Sequence, residues 1–173
     1  MKLRKLEYKD IPFMLEWMHD PEMTRYLKFD FESATEESQK VFIDNSFNDN
    51  NVSFAIVDEE DDEYLGSISL KNINYEDRNA EYAICIRKGS TGKNIAYNAS
   101  TMILDYAFNE LNLNRVYLDV VSDNIRAVKF YEKFGFIYEG EFKEAINIKG
   151  KLKNIKWYRM LKSEYKGGKN EKC

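Results

Sequence analysis

The chain has 173 residues, 26 Lys and Arg against 30 Asp and Glu for a formal net charge of −4, and an aromatic complement of 12 Tyr, 11 Phe and 2 Trp. That length suits one domain able to bury roughly 70% of its unfolded surface, and the aromatic content excludes a disordered chain. With only Cys85 and Cys173 there is no disulfide scaffold, no apolar run approaches the ~18 residues of a membrane span, and Met1-Lys2-Leu3-Arg4-Lys5 lacks the apolar core of a signal peptide. The expectation is a soluble, cytoplasmic protein with one domain over residues 1–165 and a flexible tail over residues 166–173.

Lys2–Glu7 alternates weakly and reads as a strand. Asp10 stands where it can cap a helix with Pro12 in its first turn, and Ile11, Met14, Leu15 and Met18 follow at helical spacing. A break at Asp20-Pro21 leads to a short helical piece through Leu27. Thr35, followed by Glu36 and Glu37, marks the N-cap and acidic first turn of a helix carrying Val41, Phe42 and Phe47 to about Asn48. Val52–Asp58 and Tyr64–Ile73 are strand-like and joined by six consecutive acids, Asp58 to Glu63, which read as a solvated hairpin loop.

Glu81–Ile86 is short and mostly apolar, the pattern of a strand covered on both faces. After a glycine-containing loop, Ala96, Ala99, Met102, Ile103, Tyr106 and Ala107 mark one face of a long helix. Val116–Val121 is a strand. Asp123 or Asn124 caps a helix with Ala127, Phe130, Tyr131 and Phe134 on one stripe and Gly135 at its C-terminus. Phe136–Phe142 and Ile155–Leu161 form a closing pair of strands. The order β-α-α-β-β-β-α-β-α-β-β is that of a mixed α/β (α+β) domain with one sheet. From Lys143 onward ten Lys and Arg face three acids, but no nucleic-acid motif accompanies them, and nucleic-acid and membrane partners are not expected.

The chemistry concentrates in two segments. The turn Arg87-Lys88-Gly89-Ser90-Thr91-Gly92-Lys93-Asn94-Ile95-Ala96 has three basic residues and no acids, and it opens a helix. A helix N-terminus offers unpaired N–H groups and partial positive charge, hence a natural phosphate site. The spacing is neither that of a P-loop nor of a dinucleotide fingerprint. His19 is the only histidine, so no zinc cluster or Ser-His-Asp triad is supported and no metal is expected. Cys85 reads as a buried structural thiol.

The second segment is Ser122-Asp123-Asn124-Ile125-Arg126-Ala127-Val128-Lys129-Phe130-Tyr131-Glu132-Lys133-Phe134-Gly135-Phe136. With the first, in this order, it resembles the GNAT superfamily of acetyl-CoA-dependent N-acetyltransferases, over Leu3 to about Tyr165. The resemblance implies a largely antiparallel sheet flanked by helices, with acetyl-CoA as cosubstrate. The family's Gln/Arg-x-x-Gly-x-Gly/Ala turn matches Thr91, Gly92, Lys93, Asn94, Ile95 and Ala96. Ala96 fits, whereas Thr91 replaces Gln/Arg and Asn94 replaces the central Gly; Lys93, Arg87 or Lys88 could restore attraction for the pyrophosphate.

The resemblance further implies that backbone groups of Ile84 and Ile86, where the family splays two strands, meet the cofactor and polarise the thioester carbonyl. Tyr131 matches the general acid that protonates the leaving thiolate, and Asn124 the residue bonding the pantetheine arm. Glu81 stands where some members place a carboxylate that takes the amine's proton. The opening Asp10–Met18 with Asp20-Pro21-Glu22 looks like the RimL-like branch, whose acceptors include amino-sugar nucleotides, polyamines and peptide N-termini. The partner implied is therefore a small-molecule amine or a peptide N-terminus, and a homodimer stays open. The alternative is a non-catalytic module that binds CoA or a protein partner on the same fold; Thr91 and Asn94 favour it, Tyr131 and Asn124 oppose it.

Overall fold

The computed structural model describes residues 1–90 and 94–167. Strand β1 (Lys2–Lys5) leads through one 3-10 turn into helices α1 (Ile11–Met18), α2 (Pro21–Thr24) and α3 (Glu36–Asp44). Strands β2 (Phe47–Asn48), β3 (Asn51–Val57), β4 (Tyr64–Asn74) and β5 (Asn79–Ile86) follow. Helix α4 (Ile95–Asp105), continued by a π turn over Tyr106–Glu110, connects to β6 (Arg115–Val121). Helix α5 (Ile125–Phe134) precedes the long hairpin of β7 (Ile137–Ile148) and β8 (Lys151–Leu161). The strands form one sheet in the order β1-β3-β4-β5-β6-β8-β7, with β2 on β3, and β5–β6 is its one parallel pair among the described residues. This is the mixed, largely antiparallel sheet flanked by helices that the sequence implied.

Alternation along the strands gives the sheet two buried faces. On one, Ile56, Ile68, Leu70, Tyr82 and Leu118 pack under Ile95, Ala99 and Ile103 of α4 and Val128 and Tyr131 of α5. On the other, Ala55, Val57 and Tyr64 are covered by Met14, Trp17 and Met18 of α1 and Ile43 of α3. A third small cluster, Val121, Ile148 and Ile155, folds the outer hairpin onto Tyr26. The N-terminal strand is pinned by Arg4, whose guanidinium makes two 2.8 Å bonds to the buried Asp10 carboxylate and another at 3.0 Å to Asp62.

Several elements depart from the sequence reading. Asp10 does not cap its own helix; its carboxylate accepts from Arg4 and from the Glu7 backbone. Helix α3 stops at Asp44, because the Asn45 amide and the Ser46 hydroxyl take the Val41 and Ile43 carbonyls and turn the chain into β2. Val41 and Phe42 therefore lie exposed, while Gln39 and Ile43 are buried. On α4 the buried stripe runs through Ser100 and Leu104 as well as Ala99 and Ile103, and Met102 faces outward. Strand β5 is fully covered only at Ala80 and Tyr82 and is half-open beyond. The acidic run does form the β3–β4 hairpin, but Asp62 is held by Arg4 and Lys9 rather than simply solvated. The tail from Gly168 onward lies outside the described residues.

One glycine sets the approach of β4 to the end of β5. Gly66 lies opposite Ile86, and a Cβ built there would stand 2.3 Å from the Cys85 carbonyl oxygen, a backbone atom with no room to retreat. Gly66→Ala is expected to lower stability by about 1–3 kcal/mol, read as a lower urea midpoint at unchanged slope. An unaltered midpoint would show that the two strands can part without cost.

Candidate active site

The parallel pairing of β5 with β6 runs only through Asn79–Arg115, Ala80–Val116 and Glu81–Tyr117. Strand β5 continues five residues further, to Ile86, with no β6 partner among the described residues. The Arg87 N–H donates to Leu65 on β4 at 2.9 Å. Because N–H and C=O directions alternate along a strand, Cys85 and Ala83 also turn to β4, whereas Ile84 and Ile86 turn theirs into the gap. These are backbone donors and acceptors seeking a partner. An extended polar arm can satisfy them as a further strand would.

Beside the gap stands the N-terminus of α4. Asn94 adopts φ 55° and ψ 16°, the left-handed conformation that Gly takes freely and Asn tolerates better than other side chains. The departure from the family glycine thus preserves the backbone shape that a glycine would supply. Thr91, Gly92 and Lys93 lie outside the described residues. The first turn of α4 is fixed to β5 by a relay. The Ser100 hydroxyl spends its one proton on the Ala96 carbonyl at 2.6 Å, so Tyr82 must donate to Ser100, also at 2.6 Å.

Between α4 and α5 opens a cleft of about 240 Å³, lined by Ile86, Asn94, Ile95, Ala96, Arg126 and Lys133 among others. Neither Arg126 nor Lys133 has an ion-pair partner among the described residues. The sequence reading missed both. The signal was there, as two cations seven residues apart on α5 share the face that carries Phe130 and Phe134. By contrast Arg87 is spoken for: its guanidinium binds Glu16 at 2.8 Å and Glu63 at 3.1 Å, and lies over the Phe13 ring. Lys88 likewise pairs with Glu22.

Tyr131 projects from α5 into a nest of rings, with Phe130, Phe136 and Tyr82 centred 5.5–6.1 Å away. Burial first, then the negative charge of Asp119, push its phenol well above the ordinary tyrosine range and keep it protonated. Desolvation also pushes the Cys85 thiol up to about 12, although the residue is half-buried rather than the fully buried thiol expected. Asn124 caps α5, its side-chain oxygen accepting from the Ala127 N–H at 3.3 Å. Gly135 closes that helix at φ 110°.

On the opposite face of the sheet, Glu81 accepts from Lys71 at 2.6 Å and from Asn72 at 2.9 Å. Asp119, on β6, shares that face two residues beyond Tyr117. Partial burial and the Glu81 charge raise its carboxyl above the usual range, against the pull of Lys71 and Lys28. The sequence reading did not single out Asp119.

An unpaired strand edge and a helix N-terminus border a cationic cleft, an arrangement suited to a phosphorylated cosubstrate with an extended polar arm such as CoA, and with it to an acyltransferase. Residues 1–137 match the family model described as an acetyltransferase (GNAT) domain. The chain is 30% identical over 165 residues to the spermidine N(1)-acetyltransferase of Vibrio cholerae, covering 95% of each chain. It is 29% identical over 170 residues to an uncharacterized N-acetyltransferase, p20, of Bacillus licheniformis, covering 96% of each. Its fold matches the crystal structure of a Vibrio cholerae spermidine N-acetyltransferase in complex with CoA and spermine, with a TM-score of 0.86 at 29% identity, covering 94% of this chain and 96% of that one. The chain belongs to the acetyltransferase (GNAT) domain family. It is an acetyl-CoA-dependent N-acetyltransferase.

Arg126 and Lys133 are expected to hold the CoA phosphates. Arg126→Ala and Lys133→Ala should each raise the Kd for CoA about 3–10-fold, as for loss of one charge-assisted contact. Calorimetric titration at low and high salt reads this out, the difference shrinking as salt rises. Equal affinities at low salt would place the phosphates elsewhere.

Proposed function

We propose that this enzyme acetylates a polyamine, by direct attack of a primary amine on acetyl-CoA within a ternary complex. The observation that carries the reading is the pair of carboxylates, Glu81 and Asp119, on one sheet face at the mouth of the β5–β6 gap. A polycationic acceptor is drawn to such a mouth, whereas a nucleotide-linked sugar, itself an anion, is repelled by it. Near end-to-end similarity to spermidine acetyltransferases supports the same acceptor class. The opening Asp10–Met18 and Asp20-Pro21-Glu22 supports placement in the broad RimL-like branch.

In this reading the Ile84 and Ile86 backbone groups align the pantetheine arm and polarise the thioester carbonyl, and Asn124 lies along its path. Asn94, Ile95 and Ala96 present the α4 N-terminus to the pyrophosphate. Tyr131, kept protonated by its buried setting, gives its proton to the departing sulfur. Glu81, fixed by Lys71 and Asn72, holds negative charge at the mouth and draws in the acceptor ammonium.

Thiol release from acetyl-CoA, measured over polyamines, amino-sugar nucleotides and peptides, tests the acceptor. Spermidine or spermine is expected to give a kcat/KM at least about tenfold above the other classes, a difference of ~1.4 kcal/mol. A better sugar or peptide substrate would overturn the reading, and no turnover despite CoA binding would favour the non-catalytic module. Tyr131→Phe should lower kcat about 100-fold, the scale of a lost general acid, while the Kd for CoA stays within about twofold. Unchanged kcat would remove Tyr131 from the chemistry.

A further inference from the structure

We infer that Asp119 is the group that takes the proton from the attacking amine, and that Glu81 acts beside it as a fixed charge. The inference deepens the acetyl transfer proposed above and rests on it. Both oxygens of Glu81 are already engaged. Lys71, directly opposite in the β4–β5 ladder, donates to one at 2.6 Å, and Asn72 donates to the other at 2.9 Å from a left-handed backbone at φ 52°. Glu81 is thus held in place as a fixed charge, with each oxygen committed to a donor on β4.

Asp119 stands differently. Tyr117 is the last β6 residue paired to β5, so Asp119 occupies the next position on the same face, on the opposite lip of the gap. No described side chain hydrogen-bonds or ion-pairs with its carboxylate, which stays open to solvent on that face. The charged and titratable groups around it are Lys71 of β4, Glu81 of β5, Lys28 from the segment after α2 and its β6 neighbour Tyr117, while Tyr131 of α5 lies beneath the other face of the sheet. Trp157 of β8 lies opposite it in the ladder, with an indole N–H that has no partner among the described residues. Partial burial first, then the Glu81 charge, strengthen Asp119 as a base, with the two lysines opposing. Its charge is also felt at the Tyr131 phenol. The Tyr131 ring stands 6.1 Å from that of Tyr82 on β5 and 6.5 Å from that of Tyr158, the β8 partner of Leu118, so Tyr131 and Asp119 flank the gap from opposite faces of the sheet, as attack and departure at one carbonyl carbon require.

The step balances. The Asp119 carboxylate takes one proton from the acceptor ammonium, directly or through one water. The freed nitrogen lone pair attacks the thioester carbonyl carbon and the C–N bond forms. As the carbonyl re-forms, the C–S bond breaks with its electron pair on sulfur, and Tyr131 protonates the sulfur. The second nitrogen proton returns to the Tyr131 phenolate, Asp119 gives its proton to solvent, and one proton is released overall.

The test compares wild type, Asp119→Asn, Asp119→Glu and Glu81→Gln as full chains, with kcat and KM measured against pH on the amine that the acceptor panel identifies. Asp119→Asn is expected to lower kcat about 100-fold and flatten the acidic limb of kcat/KM, while Asp119→Glu restores a limb. Glu81→Gln should act mainly on KM, raising it about tenfold and keeping the limb, as for a lost charge interaction of ~1.4 kcal/mol. Unchanged melting temperature and CoA affinity identify the variants as folded. If Asp119→Asn keeps wild-type kcat and limb, or Glu81→Gln alone removes the limb, the inference is overturned. An acceptor that is an amine but not a polyamine sinks the polyamine reading alone, since the same comparison on that amine still decides the role of Asp119. A panel with no turnover at all overturns both.

Discussion

The architecture turns on one incomplete ladder. Strands β5 and β6 pair for three residues and then part, leaving the last five residues of β5 without a strand partner on that side among the described residues. Buried or half-buried backbone amides are normally paired, so a sheet that leaves a central strand unpaired has reserved those groups for something else. The rest of the fold holds the gap open. Gly66 lets β4 grip the outer end of β5 closely, the Tyr82–Ser100–Ala96 relay fixes α4 above it, and β8 binds all seven residues of β6 on its far side. With each lip anchored on its outer side, the gap cannot close by a small shift of either strand.

The same geometry explains why the family glycine can be replaced. What the turn demands at the entrance to α4 is a left-handed backbone, and Asn94 meets that demand at φ 55°. Asparagine tolerates this region because its short amide can bond locally, so the replacement retains the direction of the first-turn N–H groups at modest cost. The cations behave less conservatively. Arg87 and Lys88 sit in the turn by sequence yet are drawn to Glu16, Glu63 and Glu22, tying the end of β5 to α1, α2 and the β3–β4 hairpin. Among the described residues, the free positive charge comes instead from Arg126 and Lys133 across the cleft.

What could be read from the sequence followed the range of the interactions. Helix α5 was legible throughout, since its cap Asn124, its Tyr131 stripe and its terminating Gly135 are all local signals. The β3–β4 hairpin was legible for the same reason. The end of α3 was not, because Asn45 and Ser46 stop it by bonding carbonyls that a continuing helix would also have used. Nor was the fate of Asp10, which depends on Arg4 from a neighbouring strand, or that of Arg87, whose partner Glu16 lies 71 residues away. Asp119 escaped notice because a single acid in an apolar strand acquires meaning only when register sets it beside Glu81 at the β5–β6 gap.

A net charge of −4 conceals how the charges are sorted. Arg126 and Lys133 line the cleft on the α4–α5 face, where a pyrophosphate would lie, while Glu81 and Asp119 stand on the opposite face of the same sheet. A polyanionic cosubstrate and a cationic acceptor would neutralise each other if they shared one open cleft, and each would compete with the protein for the other's charge. Placing them on opposite faces removes that competition until both reach the gap between β5 and β6. There the reacting atoms are the neutral part of one molecule, a thioester, and a nitrogen that must itself become neutral before it can attack. Deprotonation at that point does more than create a nucleophile: it lets the nitrogen leave the carboxylates that attracted it. A base on the lip of the gap therefore couples release of the acceptor's charge to its attack on the carbonyl.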